Sequence, residues 1–174
     1  MSHYDYTKNI AAIWEKAVKL YEKGQRGSDT YFEAPELEFL AGIGVTAQEV
    51  YDFAEDYAGG GDPDFGTFVA IHDVRRAYFL EVQKGVPTGK VLPSKDLPAR
   101  DSEAEGIRWL PRLIAKAYAK LHGELSLDIM YDCGGDRNFF RTHNIHPAEF
   151  LRVVWQNEGN DDAIVTWVKA RSGK

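Results

Sequence analysis

The chain has a single cysteine, no run of basic residues and no long apolar stretch, and each shortage narrows what it can be. One thiol, Cys133, cannot close an internal disulfide, and the cytoplasm is the expected compartment. No apolar segment approaches the ~20 residues of a membrane span. The opening residues, Met1-Ser2-His3-Tyr4-Asp5, lack the charged-then-apolar order of a leader. Lys and Arg number 21 against 27 Asp and Glu, giving a net charge of −6. Without a concentrated basic face, duplex nucleic acid is not an expected partner. No segment alternates apolar and polar residues for long enough to read as a strand of a sheet, and runs such as Leu127–Tyr131 are too brief.

What the chain does have is 174 residues with 44% hydrophobic content, enough for one core or for two half-sized ones. Helical spacing accounts for most of it. Ile10, Ile13, Trp14, Ala17, Leu20 and Tyr21 predict an amphipathic helix over 7–23, closed by Gly24 and Gly27. Leu37 to Leu40 reads as a short apolar turn. Thr46-Ala47-Gln48-Glu49 is a capping box opening a helix to about Tyr57, and Gly59-Gly60-Gly61 breaks the chain. Asp62-Pro63 then predicts the start of a long helix to about Lys84. Pro87, Pro93 and Pro98 forbid helix and predict an extended connector. Ser102-x-x-Glu105 reads as another capping box. A helix is predicted from Leu110 to Leu121, then a glycine-bearing loop at Cys133-Gly134-Gly135-Asp136 with Asp136 as the N-cap of the next helix. Another helix is predicted from His146-Pro147, and a last one capped by Asn160-Asp161-Asp162.

Residues 10–57 laid on 110–157 without a gap superpose the apolar pattern. The pairs are Ile10/Leu110, Ile13/Leu113, Trp14/Ile114, Ala17/Ala117, Leu40/Phe140, Val45/Ile145, Val50/Phe150 and Phe53/Val153. Lys16 meets Lys116, Tyr31 meets Tyr131, and Glu36 lies opposite Asp136. Only five of the 48 positions are identical, so the argument rests on ordered apolar matches and shared turn chemistry. The expectation is an all-α protein of two related helical halves packed as one compact unit. The first half is 1–85, a Pro-rich connector with a capping turn is 86–106, and the second half is 107–174.

The densest polar constellation lies in that second half: Arg112, Lys116, Asp128, Asp132, Cys133, Asp136, Arg137, Asn138, Arg141, His143 and His146. Arg112 and Lys116 stand at i and i+4 on one helix face and could clamp a carboxylate or phosphate. The alternative is a salt-bridge network with Asp132 and Asp136 that only ties helix to loop. Lys16 and Glu36, equivalently placed in the first half, favour that alternative, whereas Arg112 has only Ala12 opposite it. Cys133, close to helix-start N–H groups and to Arg137, could be a nucleophile or redox sensor. It reads more readily as a small, partly buried core residue whose thiol is not strongly activated, because a catalytic thiol needs a neighbouring base and only His143 is near in sequence. His143-x-x-His146 does not predict a metal site, since Asn144 and Pro147 make the segment a turn and His146 takes the N-cap place of Thr46.

Leu110-Pro111-Arg112, Lys116-Ala117, Gly123-Glu124 and Tyr131-x-Cys133-x-x-Asp136 resemble the bacterial domain-of-unknown-function 5069 family. The stretch from Gly89-Lys90-Val91-Leu92-Pro93 through Gly106-Ile107-Arg108-Trp109 is similar to its longer members. The resemblance spans about residues 70–170. It marks Arg112, Lys116, Cys133 and Asp136 as motif positions and implies no activity for them. The functional expectation is binding of a small anionic molecule in a seam between the halves, with or without chemistry. Arg112, Lys116, Asp132, Cys133, Asp136 and Arg137 are the candidate ligand-binding residues. No cofactor and no metal is expected, and self-association stays open. The alternative is a non-enzymatic interaction or structural module.

Overall fold

The structure is a computed structural model in which residues 3–173 are described. Residues 1 and 2, which begin the stretch read for a leader, lie outside them. Among the described residues the chain forms eight α-helices and one two-stranded ribbon, and the all-α expectation holds. No helix is long and apolar enough to cross a membrane. The chain divides into two compact units, Met1–Val86 and Pro87–Lys174.

The first unit comprises α1 (Tyr6–Glu22), α2 (Ala34–Gly42), α3 (Ala47–Gly60) and α4 (Phe65–Glu81). The apolar run at Leu37–Leu40, read as a turn, is the body of α2. A capping box between Glu33 and Glu36 starts that helix, with Pro35 in its first turn where no N–H is needed. α3 opens at the box read from sequence: Glu49 N–H donates to the Thr46 hydroxyl at 3.1 Å, and the Glu49 carboxylate accepts from Thr46 N–H at 2.8 Å. It continues through Gly59 and Gly60 and stops at left-handed Gly61, φ 73°. The N-cap of α4 is Asp64, whose carboxylate accepts from Thr67 N–H at 2.8 Å. Asp62-Pro63, expected to fill that place, precedes it. Trp14 on α1 lies with its ring 4.6 Å from that of Phe68 on α4, at the centre of this unit's core.

The second unit holds β1 (Glu103–Ala104), β2 (Ile107–Arg108), α5 (Leu110–His122), α6 (Gly134–Thr142), α7 (Pro147–Gln156) and α8 (Asp161–Ser172). The Ser102-x-x-Glu105 pattern is not a capping box here. Glu105 (φ 48°) and Gly106 (φ 80°) both adopt positive φ and close a two-residue hairpin pairing Glu103 with Arg108. α6 also differs from its expectation. It begins at Gly134, and its N-cap is Cys133 rather than Asp136, which sits in the first turn. Two glycines argue for a loop on propensity, yet burial of the Asp136 side chain draws them into helix. The proline-rich segment is tied to this unit, with Leu97 buried and Leu92 bridged to Leu125.

The same order of four helices occurs in each unit, with α2 at 34–42 and α6 at 134–142, and α3 and α7 starting at 47 and 147. All eight apolar pairs named from the sequence are buried at both positions.

Two stability measurements check this fold. Gly44 has φ 70°, and a Cβ there would lie 2.7 Å from the Phe79 ring and 2.9 Å from the Arg75 guanidinium. That guanidinium is fixed by donating to the Gly44 carbonyl at 2.9 Å and to Gln83 at 2.6 Å. Gly44→Ala is expected to cost about 2 kcal/mol or more in chemical denaturation, whereas Gly24→Ala, with open space around it, should cost only the backbone strain of roughly 1–2 kcal/mol. Asp52 on α3 has its pKa pushed up to about 6, first by burial, against which the Gln48 hydrogen bond works, and then by Glu55, Glu49 and Asp56. The folded state therefore binds the Asp52 proton more tightly than the unfolded chain. Its contribution is complete below the ordinary carboxylate range and is lost as pH rises through about 6. Asp52→Asn should raise the melting temperature at neutral pH and flatten the pH profile across that window.

Candidate functional site

The second unit is organised around the carboxylate of Asp136, which has no solvent exposure. It accepts from three donors on two segments of chain. Lys116 on α5 forms an ion pair with Oδ2. Asp132 donates its backbone N–H to the same oxygen at 3.0 Å, and the indole Nε1–H of Trp109 donates to Oδ1 at 3.0 Å. Lys116 is itself buried, and its ammonium makes a second contact to Cys133 Sγ at 3.3 Å. Burial of a charge requires this degree of compensation.

The arrangement holds two non-glycine residues in the left-handed region, Trp109 at φ 76° and Asp132 at φ 69°. Trp109 caps α5, and its indole packs against α6 at Gly135. A Cβ on Gly135 would sit 2.7 Å from the ring. Gly135 is therefore needed for close approach, not for an unusual φ.

Of the candidates named from the sequence, Lys116, Asp132, Cys133 and Asp136 lie together. Cys133 is half-buried. Arg137 donates to the Asp132 carbonyl at 2.6 Å. Arg112 departs from its expectation of a carboxylate partner. It donates to the Pro98 carbonyl at 2.8 Å, lies 5.8 Å from the Trp109 ring, and makes no ion pair among the described residues. It stitches the proline-rich segment onto α5. His143 makes no hydrogen bond to Cys133 among the described residues, and its Nδ1 is instead 2.6 Å from Ser172 Oγ. His146 caps α7 by accepting from Ala148 N–H at 3.2 Å, as the comparison with Thr46 implied.

The first unit repeats the ion pair in weaker form. Lys16 meets Glu36 at 2.6 Å, and Glu36 also accepts from Glu33 N–H at 2.8 Å. Both partners are about one-third exposed, against 3% and 0% for Lys116 and Asp136.

A concave surface borders the Asp136 cluster at Trp109. A cleft of about 540 Å³ is lined by Arg100, Arg108, Trp109, Asn138, Phe139 and His143, with Gly106, Ile107, Gly135 and Thr142 completing it. That is a usual size for a small-molecule site. No carboxylate lines it, although the chain is acidic. The side chains of Arg100 and Arg108 make no hydrogen bond or ion pair among the described residues. Trp109 and Phe139 supply apolar wall. Burial holds the His143 imidazole below its ordinary pKa, which favours the neutral ring.

Sequence reasoning singled out the cluster behind Trp109 and missed both cleft arginines. Arg100 falls in a proline-rich stretch that reads as a spacer, and Arg108 sits on a strand two residues long. The available signal was Gly106, whose hairpin turn sets Arg108 and Trp109 at the mouth of the cleft.

No curated protein and no solved structure matches this chain. Over residues 97–174 it matches the family model of DUF5069, a domain of unknown function, and both the Asp136 cluster and the cleft lie within that match.

Proposed function

We propose that the second unit binds a small anion in the cleft at Arg100, Arg108 and His143, and that the Lys116–Asp136 cluster is the scaffold that positions Trp109 in its wall. The two unpartnered guanidiniums carry this reading. In a folded protein of net charge −6, two arginines facing one concavity without a carboxylate among its lining residues leave charge and donors to be met from solution. Guanidinium geometry suits the paired oxygens of a carboxylate or phosphate. The apolar faces of Trp109 and Phe139 allow the ligand a small organic portion.

The candidates Lys116, Asp132, Cys133 and Asp136 belong to the scaffold in this reading. Asp136 already receives three donors, and Lys116 spends its charge on it. The weaker Lys16–Glu36 pair in an equivalent place supports a structural role. The recurrent helix order and the shared buried pairs also support reading the two units as copies of one ancestral unit, of which the second acquired the cleft.

Calorimetric titration of the full chain with inorganic phosphate tests the function. Arg100→Ala and Arg108→Ala should each weaken binding about tenfold or more, as loss of a charged hydrogen bond does, and should leave the melting temperature unchanged because both side chains are exposed. Unchanged affinity in both variants would refute the assignment. Lys116→Ala separates scaffold from ligand site. It should destabilise the protein by about 3–5 kcal/mol by stranding a buried carboxylate, while Lys16→Ala costs at most about 1 kcal/mol as for a partly exposed pair. A Lys116→Ala protein of full stability that binds phosphate poorly would move Lys116 into the binding site.

A further inference from the structure

Resting on the anion-binding reading, we propose that His143 makes the cleft selective for an oxyanion that still carries a proton, so that hydrogen phosphate is taken in preference to sulfate. The argument begins at Ser172. Its hydroxyl has one proton, and that proton is directed to the Val168 carbonyl at 2.7 Å, the back-bond usual for a helical serine. His143 Nδ1 lies 2.6 Å from the same oxygen. With the hydroxyl proton committed, Nδ1 must be the donor in that contact. A neutral imidazole carries one N–H, so Nε2 is left as a bare lone pair.

Nε2 has no hydrogen-bond partner among the described residues. His143 lines the cleft and Ser172 does not, which leaves the far edge of the ring to the cleft. The imidazole is further steadied by the Phe139 ring, with centroids 4.3 Å apart. Burial, which keeps the ring neutral, works in the same direction.

The cleft therefore offers guanidinium donors from Arg100 and Arg108 together with one acceptor at His143. Sulfate has only acceptor oxygens in neutral solution. It satisfies the arginines and sets a lone pair against Nε2. Hydrogen phosphate presents acceptors to the arginines and its remaining O–H to Nε2. A site whose buried polar group stays unpaired with one ligand and is paired by another discriminates strongly between them. Ser172 is a positioning residue here, since it acts by fixing the tautomer of His143.

Full-length protein is titrated by calorimetry with inorganic phosphate and with sulfate at matched ionic strength, near pH ~8 where histidine is neutral. Nitrogen-15 NMR reads the His143 tautomer on the same protein. Phosphate is expected to bind at least about tenfold tighter than sulfate, with the proton on Nδ1. His143→Phe keeps a ring against Phe139 and removes the acceptor, so the ratio should fall toward one through loss of phosphate affinity. Ser172→Ala, a substitution at an exposed site, should let the ring adopt the Nε2–H form and shrink the ratio while the fold stays intact. Equal affinity of the unaltered protein for both anions, or an Nε2–H tautomer in it, would overturn the role of His143 and leave anion binding standing. Binding of neither anion would overturn both readings together.

Discussion

The second unit depends on one constraint: a carboxylate buried without exposure must be surrounded by donors. Asp136 meets it with Lys116 from α5, the Asp132 backbone and the Trp109 indole. Those donors come from α5 with its cap and from the chain entering α6, so satisfying one side chain fixes the start of α5, the first turn of α6 and the residues before it. The left-handed conformations of Trp109 and Asp132 follow from the same requirement. Backbone strain of this kind persists only where the surroundings over-determine it. Gly135 admits the indole against α6, and a methyl group at that position would meet the ring.

Trp109 connects this interior to the surface. Its nitrogen belongs to the buried cluster, and its ring forms a wall of the cleft. Rigidity in the cleft thus derives from a charge pair behind it rather than from residues that meet solvent. The arginines are placed differently. Arg108 is carried by the hairpin and Arg100 by the proline-rich segment, which Arg112 anchors through the Pro98 carbonyl. The Asp136 carboxylate, which receives three donors, and the two cleft guanidiniums, which make no hydrogen bond or ion pair among the described residues, stand side by side.

The first unit offers a contrast at the sequence-aligned positions. In the register that lays the first half on the second, Lys16 and Glu36 align with Lys116 and Asp136, and Asn9 and Pro35 with Trp109 and Gly135. Pro35 carries ring atoms where Gly135 carries none, and Asn9 offers no indole. The pair there remains about one-third exposed. Exposure lowers both the desolvation cost and the strength of such a pair. The aromatic wall and the deep burial of the charges therefore go together.

The sequence by itself determined the helical class and the registers of α1, α3, α5, α7 and α8, and offered the Lys116–Asp136 pairing as one of two readings, because these rest on local spacing and on end-signals such as Thr46-x-x-Glu49 and Asn160. The parallel with Lys16 and Glu36 pointed from the sequence to an ion pair at Lys116 and Asp136. Tertiary structure decided the rest. It made helix of Gly134-Gly135, because burial of Asp136 outweighs glycine's poor propensity. It turned Ser102–Glu105 into a hairpin, because Glu105 and Gly106 together accept positive φ. It gave Arg112 a carbonyl instead of a carboxylate, and brought Arg100, Arg108 and His143 to one cleft from a connector, a short strand and a helix end. Side chains gathered from segments so far apart leave no period or spacing to read, since their proximity arises only when the chain closes on Asp136.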